Sequence, residues 1–288
     1  MSLANSNAAR EERRLNPIIA ITDPDDPRIA AYRHIREADL VGREGCFIAE
    51  GEVVLRMLLT GSRHPAQSVL IADKRIERLA PLLAQAPADA PIYSASQTVM
   101  DAIVGFPIHR GILALGRKTP EPSPEALLAG LPPEALVLAL FGIANHDNMG
   151  GLFRNAAAFG VGAVLLDGAC CDPFYRKAIR VSVGGVLAVP FARLAPHADP
   201  LALLRSHDLT PIALSPRGQT RLIDLEPPSR AALLLGAEGP GLSEALIAAS
   251  RSVSLPMSAG FDSLNVATTS GIALHHLAFA RRASATAG

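Results

Sequence analysis

The amino-acid sequence predicts an α/β protein of two domains, the second built on a mostly parallel β-sheet. Short apolar runs alternate with helical segments along most of the 288 residues, 49% of which are hydrophobic. The apolar runs of the second half are continuous, which is typical of strands buried on both faces of a sheet. Between the halves, residues 118–133 contain five prolines and little strand pattern, so this stretch predicts a linker.

The first domain is predicted over residues 25–117, after a polar and charged stretch, residues 1–24, that predicts a flexible tail. Its first element is a helix over residues 26–45 with apolar residues on one side. Short apolar strands then alternate with helices. They lie in the segments "CFIAEGEVVLRMLLTG", "SVLIADKRIERLAPLLAQ", "PIYSASQTVMDAIVG" and "RGILALGRK".

The second domain is predicted over residues 134–284. Its strands are expected in "ALVLALFG", "GAVLLDG", "VLAVPFARL", "TPIALSP", "AALLLGAEG" and "SVSLPM". Its helices are expected over residues 149–160 and in "DPFYRKAIRVSVG", "DPLALLRSH", "LSEALIAAS" and "NVATTSGIALHHLAFARR". Because ligands of such sheets bind beyond the carboxyl ends of the strands, the loops at these ends are the candidate functional segments.

Composition excludes several classes of protein. Lys+Arg and Asp+Glu both number 27, so no overall charge indicates a nucleic-acid partner, and RNA contacts must come from local patches. Cys46, Cys170 and Cys171 form neither a disulfide framework nor a metal signature, so we expect reduced core thiols and no metal. No apolar run approaches the length of about 18 residues typical of a membrane span, and no apolar signal-peptide core is present, which predicts a cytoplasmic protein without a membrane partner.

The first candidate loop is "NHDNMGGLFRNAAAFG", residues 145–160. Asn148 is expected to cap the following helix. Gly150 and Gly151 lack Cβ atoms, so a ligand or another backbone can approach closely. Arg154 has only small residues one turn away on either side, which leaves its guanidinium uncrowded. The alternative is an ordinary capped helix with a surface arginine.

The second candidate loop is "LLLGAEGPGLSEAL", residues 233–246. Gly236 and Gly241 predict a tight turn directly after an apolar strand, where backbone groups are presented to a small molecule. Glu238 lies in this turn. Its carboxylate either contacts the small molecule or is simply solvated. A plain turn between a strand and a helix is the other interpretation.

The third candidate loop is "LPMSAGFDSLNVATTSGIAL", residues 255–274. A strand is expected to end at Pro256. Ser263 and Asn265 stand where the last helix begins, and both are good capping residues. The small residues 268–271 allow close packing against a neighbouring element or a second subunit.

With these loops in this order, the sequence resembles the SpoU-type (TrmH-like) RNA ribose 2′-O-methyltransferases of the SPOUT superfamily. Asn148 and Arg154 match the family pattern N-x-x-x-x-x-R, "GAEGPGLSE" matches its glycine turn, and "LPM" with "SLNVATTSGIAL" matches its last motif. The segments "GCFIAEGEVVLRMLL" and "IHRGILALGRK" look like the small RNA-binding domain that often precedes the catalytic domain.

The resemblance implies a SPOUT-type α/β catalytic domain with a C-terminal deep trefoil knot, preceded by a small α/β RNA-binding substrate domain. It also implies a homodimer with the active site near the interface, and S-adenosyl-L-methionine as the cofactor, held by the walls of the knot. The residues expected to bind this cofactor by resemblance are Gly236, Glu238, Gly241, Leu255, Met257 and Leu264.

The resemblance also implies the catalytic residues, which are Arg154, Asn148, Ser263 and Asn265. In the family that this sequence resembles, the corresponding arginine is often described as part of the general base. Because a guanidinium stays protonated in proteins, we expect Arg154 instead to hold the adjacent phosphate and stabilise the developing alkoxide. Asn148, Ser263 and Asn265 are expected to orient the ribose, the arginine or the methyl end of the cofactor.

Three cations close together on one predicted helix are candidate phosphate ligands, and a solvated helix face is the alternative. They are Arg176, Lys177 and Arg180. His109 and Arg110 are weaker candidates in the first domain.

The sequence therefore predicts S-adenosylmethionine-dependent methylation of a ribose 2′-hydroxyl in structured RNA, with ribosomal RNA favoured over transfer RNA. The alternative is a non-catalytic RNA-binding protein that retains the fold. A hydrolase is disfavoured, since there is no G-x-S-x-G elbow and the neighbours His146 and Asp147 have no identified nucleophile. A dinucleotide-dependent oxidoreductase is disfavoured because its glycine fingerprint is absent.

Overall fold

The computed structural model describes residues 16–33, 37–105, 110–258 and 264–285. The chain divides into two compact units, one ending at Lys118 and one beginning at Thr119. This boundary falls at the start of the proline-rich stretch. Each unit has its own sheet and its own buried apolar core.

Within its described residues, the first unit contains five strands and four α-helices. The strands are β1 (Ile18–Ile21), β2 (Cys46–Glu50), β3 (Ala66–Ala72), β4 (Ile92–Ala95) and β5 (Ile112–Arg117). The helices are α1 (Glu37–Gly42), α2 (Glu52–Thr60), α3 (Ile76–Leu83) and α4 (Gln97–Val104), with 3-10 turns at Pro27–Tyr32 and Asp73–Arg75. The strand order is β1-β4-β3-β5-β2; the first three run parallel, and β5 is antiparallel to both of its neighbours.

Burial and capping explain these elements. Both β2 (CFIAE) and β4 (IYSA) are buried at every position, and most of their side chains are apolar. Ser96 caps α4, and its hydroxyl oxygen accepts a hydrogen bond from the backbone N–H of Val99 at 3.3 Å. Tyr32 is buried with its hydroxyl oxygen 2.6 Å from Ser68 Oγ, so the polar end of the ring has a partner inside the core.

The predicted tail is partly wrong. Of residues 1–24, residues 1–15 lie outside the described residues, but Ile18–Ile21 forms strand β1 and pairs in parallel with β4. Asn16 anchors the start of this strand, because its Nδ2 atom donates a hydrogen bond to the carbonyl oxygen of Pro87 at 2.7 Å. A four-residue strand with polar neighbours is too short for its pattern to stand out in sequence.

The helix predicted over residues 26–45 is divided in two. Its first part is the 3-10 turn, whose Ile29 and Tyr32 are buried, and its second part is α1. The backbone of Arg33 is extended (φ −88°, ψ 140°), which ends the first part. Ile35, the next apolar residue expected on this side of the helix after Ile29 and Tyr32, lies outside the described residues.

The second unit is built on seven strands in the described chain. They are β6 (Ala135–Phe141), β7 (Ala163–Leu166), β8 (Phe191–Arg193), β9 (Thr210–Leu214), β10 (Thr220–Arg221), β11 (Arg230–Gly236) and β12 (Arg251–Ser254). The helices are α5 (Pro124–Ala129), α6 (His146–Ala158), α7 (Arg176–Val181), α8 (Gly185–Ala188), α9 (Pro200–Ser206), α10 (Glu244–Ala248) and α11 (Val266–Ala285), with a 3-10 turn at Leu222–Asp224.

The strand order of this unit is β10-β12-β9-β11-β6-β7-β8, and every neighbouring pair is parallel. The prediction of a parallel sheet is therefore confirmed. The carboxyl ends of the strands share one edge, and three of them lead into the candidate loops. β6 leads into α6, β11 into a glycine-rich turn, and β12 into the segment before α11. β6 and β11 pair directly, from Ala135 opposite Arg230 to Phe141 opposite Gly236, so two of the loops start side by side.

The stretch predicted as a linker, residues 118–133, contains helix α5. Ser123 caps this helix, its Oγ accepting from the N–H of Ala126 at 3.1 Å. Leu128 is fully buried in the core of the second unit. The stretch differs from a plain linker because the leucine and alanine residues between its prolines supply an apolar face.

Two further differences concern single elements. The predicted strand "VLAVPFARL" begins as helix α8, because Gly184 in the left-handed conformation (φ 84°) starts a second helical turn; only Phe191–Arg193 forms a strand. The strand predicted to end at Pro256 ends at Ser254. No helix within the described ranges has the length and apolar character needed to cross a membrane.

Candidate functional site

The turn after β11 folds tightly back on itself. Ala237 and Gly241 form an antiparallel bridge, and the Gly241 N–H donates to the Ala237 carbonyl oxygen at 3.0 Å. A Cβ atom on Gly236 would lie 2.2 Å from the carbonyl carbon of Gly241, so only glycine fits where the two backbones meet. Gly241 itself has a φ of 68°, which favours glycine.

This turn forms one wall of a cavity of about 580 Å³. The other walls come from the loop after β9, the start of α10, the segment after β12 and the first turn of α11. All six residues predicted to bind a cofactor line it, namely Gly236, Glu238, Gly241, Leu255, Met257 and Leu264. Residues that were not predicted to bind the cofactor also line it, among them Arg217, Leu242, Glu244 and Thr269.

Asn265 joins the three candidate loops at this cavity. Its Nδ2 atom donates to Asn148 Oδ1 at 2.8 Å and to Glu238 Oε1 at 3.1 Å. Its Oδ1 atom accepts from the backbone N–H groups of Ala267 at 2.9 Å and Thr268 at 3.3 Å. One side chain therefore caps α11 and also holds the first turn of α6 and the glycine turn in place.

Asn148 does not cap α6, so that prediction is wrong. The cap is Asn145, whose Oδ1 accepts from the N–H groups of Asp147 at 2.7 Å and Asn148 at 3.2 Å. The backbone of Asn145 is extended, as a cap requires, whereas Asn148 already lies inside the first helical turn. Its side chain is buried and directed to Asn265 instead.

Gly150 and Gly151 make room for two other helices. A Cβ atom on Gly150 would lie 2.7 Å from Val181 Cβ and 2.8 Å from the carbonyl oxygen of Ala178, both in α7. A Cβ atom on Gly151 would lie 2.6 Å from Ala267 Cβ in α11. The sequence left open whether a ligand or another backbone approaches here, and the observed contacts are with helices.

Asn155 was missed by the sequence analysis. Its Nδ2 atom donates to the carbonyl oxygen of Ala267 at 2.6 Å and to Ser270 Oγ at 2.8 Å, which fastens α6 to α11. Ser270 is fully buried, and Gly271 leaves space for the asparagine side chain. The sequence signal that could have pointed to Asn155 is a polar side chain in an otherwise alanine-rich helix, together with the run of small residues in the last helix.

Arg154 is exposed on α6 and is not among the residues that line the cavity. Within the described part of the chain, no carboxylate pairs with its guanidinium. Its backbone is held by α8, since a Cβ atom on Gly185 would lie 2.7 Å from the carbonyl oxygen of Phe153 and 3.3 Å from the Arg154 nitrogen. A fixed helix thus presents a cation that is available to a ligand.

The three cations predicted to bind RNA lie on α7. Lys177 Nζ is 2.6 Å from Asp147 Oδ2 in the first turn of α6, and both side chains are about half exposed. Arg180 is exposed and Arg176 is partly buried, and both make contacts within the described chain. Next to them, the rings of His146 and Tyr175 stack with centroids 4.6 Å apart.

Two of the predicted residues, Ser263 and His109, lie outside the described residues. Arg110 is exposed in the first unit, with its Nη1 atom 3.0 Å from the point where a Cβ atom on Gly51 would lie.

The thiols of the second unit are shielded. Burial raises the pKa of Cys170 to about 12 and that of Cys171 to about 11. Burial also raises the pKa of Cys46 in the first unit. Among the residues that the structure describes, no three His, Cys, Asp or Glu side chains are grouped to hold a metal ion.

Known proteins share both the sequence pattern and the fold. A sequence model of the SpoU rRNA methylase family matches residues 135–275. A protein of Mycobacterium bovis, named as an uncharacterized tRNA/rRNA methyltransferase, is 40% identical over 264 residues, which cover 88% of this chain and 90% of that protein. The AdoMet-bound rRNA methyltransferase from Sinorhizobium meliloti has a TM-score of 0.75 at 20% identity, covering 90% of this chain and 97% of its own.

A solved RNA 2′-O ribose methyltransferase has a TM-score of 0.73 at 24% identity, covering 92% of this chain and 100% of its own. These two solved structures have the same fold as this chain. Together, the matched family model and the 40% identity over most of both proteins establish that this chain belongs to the SpoU rRNA methylase family.

Proposed function

We propose that this protein transfers a methyl group from S-adenosylmethionine to a ribose 2′-hydroxyl of a structured RNA, with ribosomal RNA favoured over transfer RNA. The observation that carries the proposal is the convergence of three strand-end loops on one cavity through Asn265. Family membership supports it. So do the two solved relatives, one named as bound to AdoMet and the other as an RNA 2′-O ribose methyltransferase. The preference for ribosomal RNA rests on the two-unit layout.

The cavity suits S-adenosylmethionine in size and lining. Its volume of about 580 Å³ is typical of a small-molecule site. A Cβ atom on Gly241 would meet no atom within 4 Å, so the main chain of the turn is open there to an adenosine, and Leu255 and Met257 offer apolar contact. Glu238 adds a negative charge that suits a cationic ligand. When bound, this cofactor supplies an electrophilic methyl group on its sulfonium.

A ribose 2′-hydroxyl is a very weak acid, so the protein must align the oxygen and stabilise the charge that develops on it. We assign this role to Arg154, which stays protonated and can bind a phosphate next to the reacting ribose. It acts by position and charge rather than as the base. Asn148, Ser263 and Asn265 orient the ribose and the methyl end of the cofactor.

The proposal includes a homodimer, with the active site near the subunit interface. Arg154 does not line the cavity of its own chain, so a site that uses it is better completed by a second subunit. Ile272 and Phe279 are each 41% exposed on α11, and the Phe279 ring lies against Phe159 at the end of α6, with centroids 6.3 Å apart. An exposed apolar surface beside the helix of Arg154 is of the kind that a second copy covers.

The proposal also includes the deep trefoil knot of the C-terminal segment. It is supported by family membership. The segment after β12 and the glycine turn after β11, whose residues would form its walls, line one cavity.

RNA recognition is proposed for both units. Arg176, Lys177 and Arg180 would bind phosphates beside the catalytic site, since cations suit contacts with the phosphate backbone of RNA. Lys177 and Arg180 are exposed, and Arg176 is partly buried. The first unit would act as the substrate-binding domain. The expected location is the cytoplasm, where such RNA substrates are found.

The test is incorporation of labelled methyl from S-adenosylmethionine into unmodified ribosomal and transfer RNA, followed by digestion to nucleosides. We expect a labelled 2′-O-methyl nucleoside from ribosomal RNA. Label in a base instead of the ribose would contradict the reaction, and label in transfer RNA alone would contradict the preferred substrate. If neither RNA is labelled and the protein does not bind the cofactor, the alternative applies, namely a non-catalytic RNA-binding protein that retains the fold.

A further inference from the structure

Three of the residues that line the cavity carry a charge in the described chain, namely Arg217, Glu238 and Glu244. Glu238 is engaged by Asn265 at 3.1 Å. The other two form an ion pair with each other, from Arg217 Nη2 to Glu244 Oε1. One cation and one anion therefore stand side by side at the wall of the cavity, apart from the asparagine network.

Both members of this pair are held by well-defined backbone. Arg217 follows Pro216, and its N–H donates to Ser215 Oγ at 3.3 Å. Gly218, the next residue, lies so close to β12 that a Cβ atom there would be 2.2 Å from the carbonyl carbon of Val253. The loop after β9 is thereby fixed against the strand, and it presents the guanidinium at the cavity.

Glu244 is the first residue of α10. This helix is capped by Ser243, whose Oγ accepts from the N–H of Leu246 at 3.3 Å. Glu244 therefore reaches the cavity from the segment after β11, whereas Arg217 reaches it from the loop after β9. Both side chains are 79% exposed, so the pair is open to solvent and contributes little net stability to the fold.

We propose that the Arg217–Glu244 pair binds the amino-acid end of S-adenosylmethionine. This inference rests on the proposed function. The methionine part of the cofactor carries a carboxylate and an ammonium group on one carbon, and a neighbouring cation and anion match these two charges. The guanidinium of Arg217 receives the carboxylate through its paired donors, and the carboxylate of Glu244 accepts from the ammonium.

Binding of the amino-acid end is favourable, because the exposed Arg217–Glu244 ion pair is replaced by two charge-assisted contacts with the ligand. The ligand partly shields these contacts from water. The pair also sets specificity. It selects for an adenosine that carries an amino-acid tail over one that lacks it. The apolar walls and the glycine turn bind the part that the two kinds of ligand share.

Two ligands with an uncharged sulfur separate these contributions. S-adenosylhomocysteine carries the amino-acid tail, whereas 5′-methylthioadenosine lacks it. Isothermal titration calorimetry of the full chain with each ligand measures the contribution of the tail directly. We expect Arg217→Ala and Glu244→Gln each to weaken S-adenosylhomocysteine binding about ten-fold and to leave 5′-methylthioadenosine binding within about two-fold.

Arg221→Ala is the matched control. Arg221 also forms an exposed pair, with Asp224 Oδ2 at 2.5 Å in the same unit, but it does not line the cavity. This variant is expected to bind both ligands as the wild type does. Arg217→Lys should fall between wild type and Arg217→Ala, because lysine keeps the charge and loses the paired donors.

Equal weakening of both ligands by Arg217→Ala would overturn the inference, since it would indicate a distorted cavity. Unchanged binding of S-adenosylhomocysteine in both variants would overturn it as well, while leaving the proposed function in place. If the wild-type chain binds neither ligand, the proposed cofactor fails too. The three results are therefore distinguishable in one set of titrations.

Discussion

The Nδ2 atom of Asn265 lies 2.8 Å from the Oδ1 atom of Asn148, although 117 positions separate the two residues in sequence. Asn148 is only 7% exposed, so its oxygen depends on this donor. Asn265 also caps α11 and holds Glu238. This side chain therefore couples the stability of the second unit to the geometry of the candidate site.

Replacement of Asn265 by alanine should lower both stability and methyl transfer. Loss of the cap and of the donor to Asn148 is expected to reduce the free energy of unfolding by about 1–3 kcal/mol. Urea unfolding and labelled-methyl incorporation measure the two effects. Asp199→Ala is the control, because Asp199 caps α9 through the N–H groups of Leu201 and Ala202 without touching the cavity. If both variants lose transfer equally, the network has no special role.

Arg154→Ala should abolish transfer while leaving folding and cofactor affinity nearly unchanged. The side chain is exposed and lies outside the cavity lining, so the free energy of unfolding should change by less than about 0.5 kcal/mol. Loss of a charge-stabilising donor should reduce the transfer rate by about 100-fold or more. Single-turnover transfer and cofactor titration check these expectations. A large loss of cofactor affinity would contradict the assigned role.

Gly150→Ala should destabilise the second unit, although alanine normally favours a helix by up to about 1 kcal/mol over glycine. The added Cβ would meet Val181 Cβ at 2.7 Å and a carbonyl oxygen at 2.8 Å, so α7 must shift. The expected loss is about 1–3 kcal/mol, seen as a lower thermal midpoint. Gly168→Ala serves for comparison, since a Cβ there meets no atom within 4 Å. A higher midpoint for Gly150→Ala would show that the helices do not pack as described.

Acid should destabilise the first unit partly through His64. The ring is 2% exposed and stands edge-on to Phe47, and burial lowers its pKa from 6.5 to about 4. Between these values the unfolded chain takes up a proton that the folded protein does not. Stability is therefore fully present above pH 6.5 and falls as the pH drops toward 4, by about 3 kcal/mol in total.

His64→Gln should flatten this part of the pH dependence. The comparison is urea unfolding of wild type and variant at neutral pH and near pH 4. Carboxylates elsewhere in the chain make both proteins sensitive to acid. Only the difference in stability loss between wild type and variant therefore reports on His64. The same loss of stability in both proteins would rule out the histidine as its source.

A large part of the fold and of the candidate site could be predicted from sequence. The continuous apolar runs of β6 and β11 predicted a parallel sheet, because only strands covered on both faces tolerate such runs. The six residues that the family resemblance predicted for the cofactor line one cavity, whose walls include the loops at the carboxyl ends of parallel strands. The division of the chain near Lys118 followed from the prolines that come after it.

Other features could not be read in this way. The pattern around Asn148 fits a cap as well as Asn145 does, and the choice depends on which residue has extended backbone. Short elements such as β1 and α5 have too few residues to show a clear periodicity of apolar side chains. The pairing of Arg217 with Glu244 joins two loops 27 positions apart, and no local pattern marks it.

The difference between the features that could be predicted and those that could not has a physical cause. Local sequence established the order of strands and helices, the loops that meet at one sheet edge and the residue types available there, since propensity, capping and burial act within a few residues. Long-range packing decided that Gly150 and Gly151 serve helix contacts, that Asn148 accepts from Asn265, and that Arg154 stays outside the cavity of its own chain. Those outcomes depend on distances between segments far apart in the chain, which exist only after the sheet has brought them together.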